Sequence, residues 1–221
     1  MRSLDSVRSY FNREAARFDA IYRADKPLWQ RIGDALMRGV IHERYRLGLS
    51  AIAGSGSILD VGCGSGRYGI ELARRGARRC VGIDVADEMI QIARTEAERA
   101  GVADRCVWEV TDFLSWKSDE RFDCGIAMGY FDYLEDPLPH LCRLVEQVTG
   151  LVFASFPKRW ELRVPIRKLR FFLERGYVRF YGEGEVRDLF RQVGSLDYLS
   201  LLDLGRDYIA LYNADAAARG R

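Results

Sequence analysis

Ile58-Leu59-Asp60-Val61-Gly62-Cys63-Gly64-Ser65-Gly66 is an apolar run that ends in a carboxylate and then passes into glycine at every second position. Residues Arg67 to Arg75 follow it and read as a helix, with Ile70, Leu72 and Ala73 as its apolar positions. Glycine serves where backbone must turn sharply or press against a ligand, because it has no Cβ. A glycine-rich turn between a strand and a helix start outlines a nucleotide site.

Outward from this turn the chain alternates. Strands are expected at 58–61, 80–84, 105–110, 122–128 and 150–156. Helices are expected at 67–76, at 87–101 with Asp87 as N-cap, and near 137–148 and 183–193. Strand–helix alternation implies a parallel sheet covered on both faces. Two last strands, 196–203 and 207–213, are joined by Gly205 as a hairpin, which implies one antiparallel strand. Residues 1–50 carry helical periodicity, broken near Pro27. The chain thus divides into a helical cap at 1–54, an α/β ligand-binding domain at 55–213 and a tail at 214–221 expected to fray.

A chain of 221 residues suffices for one α/β domain with a full core. Composition is that of an ordinary globular protein, and the net charge of +2 is neutral evidence on nucleic acid. No apolar run reaches the ~18 residues that span a bilayer. Met1-Arg2-Ser3-Leu4-Asp5 lacks the apolar region of a signal peptide, so a cytoplasmic protein is expected. The cysteines at 63, 80, 106, 124 and 142 are scattered and fit reduced, buried thiols. Only His42 and His140 are present, so no metal site is expected.

The turn parses in two ways. Gly64-Ser65-Gly66-Arg67-Tyr68-Gly69 is a formal GxGxxG, with Asp84 twenty residues on as a ribose-binding acid. Read that way, the chain is an NAD(P)-dependent oxidoreductase. The other parse, Asp60-Val61-Gly62-Cys63-Gly64-Ser65-Gly66, resembles motif I of the class I S-adenosylmethionine (SAM)-dependent methyltransferases. Asp60 stands ahead of the glycines, where dinucleotide folds have no standing need for an acid and where SAM would present its α-amino group. Asp112 ends the third strand in Val110-Thr111-Asp112-Phe113, where the methyltransferases place an acid for the adenine amino group. The long helical lead before the first strand also fits that family. The nearest group by pattern is the magnesium-protoporphyrin and ubiquinone-pathway type. Tyr10, Phe18, Asp19 and Tyr22 resemble its cap helix.

The resemblance implies a Rossmann-like sheet of seven strands, order 3-2-1-4-5-7-6, with strand 7 antiparallel. It implies SAM as cofactor, held by Asp60, Gly62, Cys63, Gly64 and Gly66, by Asp84, Val85 and Met89, by Asp112 and Phe113, and by Met128. Tyr10 and Tyr22 would close over it from the cap; an aromatic face suits a sulfonium. Several of these positions keep a plain structural reading. Met89 and Phe113 could be core, Asp112 a helix cap, and Tyr10 and Tyr22 an amphipathic stripe.

Methyl transfer asks mainly for alignment and exclusion of water, with a base only where the nucleophile must lose a proton. Ligands of open parallel sheets sit at the C-terminal strand ends. Gly129-Tyr130-Phe131-Asp132-Tyr133 follows the fourth strand and should face the methyl. Relatives often carry a His in this loop; here Asp132, Tyr133 and the more distant His140 are the catalytic candidates. Tyr130, Arg163 and Arg167 are the acceptor-binding candidates. Residues 158–179 hold eight Lys or Arg against Glu161 and Glu174. Within a lid-like insertion at 158–182 they could be a solvated face, a pocket lid for an anionic acceptor, or a membrane-surface helix. The expected partner is a small-molecule acceptor, anionic or lipophilic, with O-methylation ahead of N-methylation. No nucleic acid is expected, and the chain would act as a monomer or homodimer. A SAM-binding module that assists a partner without catalysis is the non-enzymatic alternative.

Overall fold

The structure, a computed structural model, describes residues 8–9, 11–12, 44–52, 54, 56–159 and 177–219. Its centre is a seven-stranded sheet in the order β3-β2-β1-β4-β5-β7-β6. The strands are β1 (Ser57–Val61), β2 (Arg79–Asp84), β3 (Cys106–Val110), β4 (Phe122–Ala127), β5 (Val148–Pro157), β6 (Leu199–Asp203) and β7 (Asp207–Asn213). Neighbours among β1 to β5 pair in parallel, and β7 runs antiparallel between β5 and β6. This is the expected Rossmann-like order, with the hairpin supplying the reversed strand.

Side chains of a strand alternate between faces, and here both faces are apolar because both are covered. Ile58, Cys80, Trp108, Cys124 and Ile126 join one core with Leu72 and Ala73 of α1 (Arg67–Arg74) and Ile90, Ala93 and Ala97 of α2 (Asp87–Arg99). Leu59, Val61, Val81, Ile83 and Phe122 join the other. It holds Leu141 and Leu144 of α3 (Leu138–Gln147) and Val186, Leu189, Phe190 and Val193 of α4 (Glu183–Val193). Helical residues 44–51 lie on the α1 side. There Gly48 leaves room for Phe153, and Arg44 pairs with Asp207 of β7 at 3.0 Å.

Several boundaries differ from the sequence expectation. α3 ends at Gln147 and β5 begins at Val148, with no loop between them. Leu196–Tyr198 is a 3₁₀ turn rather than the start of β6, because the Ser195 side chain accepts the Asp197 amide and closes a cap there. Asp87 is not the N-cap of α2. Ala86 holds that position, and Asp87 faces the N-terminal segment instead. The tail expected to fray forms α5 (Ala214–Arg219), with Ala214 and Ala217 buried against the α4-side core. Asn213 accepts the Ala216 amide and starts that helix. Among the described residues, no helix is long and apolar enough to cross a membrane.

Candidate functional site

The glycine turn lies at the C-terminal ends of β1 and β2. The amides of Gly62 and Cys63 both donate to Ile83 O, at 2.8 and 3.1 Å, which ties the turn to the end of β2. Gly62, Gly64 and Gly66 all have positive φ, but they have different uses. A Cβ at Gly62 would lie 2.7 Å from the Tyr130 ring, and one at Gly66 would lie 2.6 Å from Trp108. Gly64 has nothing within 4 Å of such a Cβ and faces open space. Thus Gly62 and Gly66 make room for aromatic rings of the protein, and Gly64 leaves backbone free to meet a ligand.

Two neighbouring carboxylates stand at the turn. Asp84 accepts the Gly64 amide on Oδ2 and the Ala86 amide on Oδ1, both at 2.9 Å. Burial raises its pKa, and the amides of Ala86, Gly64 and Val85 oppose that shift. Asp60 is 3 % exposed, and its Oδ2 has no hydrogen-bond partner. Burial, then the nearby Asp84, push its pKa up to about 7. A buried carboxylate oxygen without a partner is costly, and a ligand donor would relieve that cost. The two acids are hostile to a pyrophosphate and suited to a cationic ligand. Asp84 alone would also suit the ribose of a dinucleotide; Asp60 adds the acceptor that suits an α-ammonium.

The remaining cofactor candidates divide. Met89 is buried in a small cluster with Ala86, against which Phe11 packs, at the lip of the site. Phe113 is 2 % exposed, enclosed by Trp116, Tyr130 and the Arg143 guanidinium, so its ring belongs to the core. Asp112 accepts the Ser115 amide and hydroxyl on Oδ2, each at 3.0 Å, and so caps its own turn. Met128 is half-buried on the α1-side core. Cys63 is half-buried with its thiol pushed up by burial, whereas Cys80, Cys106 and Cys124 are buried. Tyr10, Tyr22, Arg163 and Arg167 lie outside the described residues, as do residues 160–176 of the basic segment. At the start of that segment, Lys158 pairs with Asp203 and Arg159 with Glu185, both at 2.6 Å.

The loop after β4 forms a 3₁₀ turn at Phe131–Tyr133. Asp132 is 5 % exposed, and its carbonyl accepts the Arg179 amide at 2.8 Å. The Tyr133 ring meets Phe11 edge-on at 5.0 Å. His140, on the first turn of α3, is joined to neither of them. Its Nδ1 hydrogen-bonds the Tyr130 hydroxyl at 2.7 Å. Sequence reasoning chose both residues but not their pairing, which arises because α3 folds back beneath the loop. It missed Trp108, whose space is made by Gly66, Gly69 and Gly82 on three elements. It also missed Asn12, which donates to Asp87 at 2.6 Å and fixes the N-terminal segment beside the site.

Comparison with known proteins agrees with this geometry. Residues 58–149 match the family model described as a methyltransferase domain. The chain is 31% identical over 199 residues to a ubiquinone biosynthesis O-methyltransferase of Neisseria meningitidis serogroup C, covering 82% of this chain and 80% of the relative. In fold it is similar to the SAH-bound magnesium protoporphyrin IX methyltransferase of Synechocystis PCC 6803, with TM-score 0.71, 19% identity and coverage of 94% and 97%. It is likewise similar to the SAH-bound N-methyltransferase NodS of Bradyrhizobium japonicum WM9, with TM-score 0.64, 20% identity and coverage of 95% and 98%. Sheet order, the acid-flanked glycine turn and this kinship converge: the chain belongs to the class I SAM-dependent methyltransferases, and its methyl donor is SAM.

Proposed function

We propose that this enzyme methylates an oxygen atom of a small molecule, and that Asp60 and Asp84 are the anchors of its cofactor. The observation that carries the anchoring is the unpartnered, buried Oδ2 of Asp60 beside a second acid. When bound, SAM supplies an activated methyl group whose departure leaves a neutral thioether. Asp60 Oδ2 would accept from the α-ammonium. Asp84, held by the Gly64 and Ala86 amides, would turn its remaining lone pairs to the ribose hydroxyls. Gly64 and Cys63 would line the amino-acid part. Val85 and Met89 would flank the adenine, and Asp112 would offer it the oxygen that Ser115 does not occupy. Gly62 and Gly66 would act indirectly, by seating Tyr130 and Trp108. Met128 would close the floor at the end of β4. The name of the Neisseria relative supports oxygen over nitrogen as the atom methylated.

The acceptor would enter over the loop at Tyr130 to Tyr133, where the parallel strands end. Asp132 is buried and Tyr133 is covered by Phe11, so in this reading they shape the loop, and Tyr130 with His140 faces the chemistry. An anionic or lipophilic acceptor remains the reading for residues 158–182, with Arg163 and Arg167 as its anion contacts. Calorimetry with S-adenosylhomocysteine (SAH) tests the cofactor assignment. Asp60→Asn and Asp84→Ala should each weaken binding about tenfold or more, the loss of a charged hydrogen bond. Binding of NADH with no binding of SAH would overturn it.

A further inference from the structure

The cofactor assignment above gives no role to the hydrogen bond between Tyr130 and His140. Tyr130 follows Gly129, whose φ of 74 turns the chain at the end of β4. Its ring lies on Gly62 and stands edge-on to Phe113 at 6.4 Å. Its hydroxyl reaches His140 Nδ1 at 2.7 Å. Among the described residues this is the one imidazole, and it stands behind the loop that an acceptor must approach.

Burial favours the neutral form of both partners. His140 is 8 % exposed, and desolvation lowers its pKa against the opposing pull of Asp112 and Asp136. Desolvation, with Asp112 and Asp84 adding to it, raises the Tyr130 phenol above its ordinary value. Arg143, one turn along α3, is directed at the Phe113 ring and the Trp116 carbonyl. In the tautomer that carries its proton on Nε2, the neutral imidazole accepts the phenolic proton at Nδ1. The phenolic oxygen then has lone pairs for an incoming donor.

We infer that Tyr130 and His140 form a proton relay that serves a hydroxyl-bearing acceptor, a phenol or an alcohol. The inference rests on the methyltransferase reading above and names its acceptor class. As the acceptor oxygen bonds the methyl carbon, the methyl–sulfur bond breaks and its electron pair stays on sulfur. The acceptor proton passes to Tyr130 Oη, and the phenolic proton passes to His140 Nδ1. The result is a neutral ether, a neutral tyrosine and an imidazolium, so the positive charge of the sulfonium ends on His140. A carboxylate acceptor has no proton to give, and Asp60, Asp84 and Asp112 would repel it. Tyr130 is the residue that touches the acceptor; His140 acts through it.

Nitrogen-15 NMR of labelled histidine gives the first test, with His42 and His140 as the two imidazoles to assign. The relay requires His140 with its proton on Nε2 at neutral pH; a proton on Nδ1 overturns it. Turnover with catechol, benzoate and benzylamine as hydroxyl, carboxylate and amine probes gives the second. Transfer to catechol is expected. Tyr130→Phe keeps the ring on Gly62 and should lower kcat about a hundredfold, the scale of general-base catalysis, with SAH affinity unchanged. His140→Gln keeps an acceptor for the phenol but cannot take its proton, so it should lose the same activity. The wild-type kcat should fall on the acid side of the imidazole range, and both variants should lack that limb. Full activity of the Gln variant, or transfer to benzoate or benzylamine alone or to none of the three, overturns the relay. Failure of the wild-type protein to bind SAH is a separate result, which removes the methyltransferase reading and the relay with it.

Discussion

At the scale of single residues, Asp60 is the buried acid that leads into the glycine turn. Its pKa is raised from 3.8 to about 7 by burial and by Asp84. Between those values the native chain holds a proton that the unfolded chain has released. That proton favours the native state fully below 3.8, and its contribution is lost as pH rises through about 7. A bound ammonium prefers the ionised acid and acts in the opposite direction. We therefore expect SAH affinity to rise with pH up to about 7 and then level, and Asp60→Asn to flatten the profile in calorimetry. His140 has the reverse sign, because burial lowers its pKa. Its contribution to stability is complete above the ordinary imidazole value and is lost as pH falls through the native one. Urea midpoints should thus drop on acidification through this range, and the His140→Gln variant should lose that part of the slope.

At the scale of elements, the site is a contact between glycines and two aromatic rings. Trp108 of β3 fills space left by Gly66, Gly69 and Gly82, and a Cβ on Gly82 would lie 2.4 Å from its ring. Gly82→Ala should therefore destabilise the fold by about 1–3 kcal/mol, the cost of overpacking, as read by chemical denaturation. Gly64→Ala meets no neighbour but must hold a φ of 53. It should cost about 1–2 kcal/mol of backbone strain and weaken SAH binding. The pair separates packing on β2 from ligand approach at the glycine turn. If Gly82→Ala is neutral, Trp108 does not support the turn.

At the scale of the whole molecule, Arg8, Phe11 and Asn12 lie at the lip of the site. Phe11 packs on Ala86 and Met89 and meets Tyr133, so it bridges the ends of β2 and β4. Asn12 and Arg8 both contact Asp87 at the start of α2. Asp87→Ala should speed hydrogen exchange at residues 8–12 and leave the denaturation midpoint unchanged. A shifted midpoint would mean that this contact supports the core rather than the segment alone. Such contacts join residues some seventy-five positions apart, and no periodicity or motif announces them.

What the sequence determined by itself was the part governed by local rules. Strand–helix alternation fixed the parallel sheet, the last hairpin its reversed strand, and Asp60 ahead of the glycines the choice of cofactor. Each of these depends on neighbours within a few residues, where periodicity and turn chemistry apply. The tertiary structure alone decided which glycines seat a ring and which face open space. It packed Phe113 among core rings and gave one oxygen of Asp112 to Ser115 of its own turn. It also joined His140 to Tyr130 rather than to Asp132 or Tyr133. The physical reason is common to all four. Side-chain burial and hydrogen-bond partners are set by which elements pack together, and that packing is a property of the assembled sheet and helices.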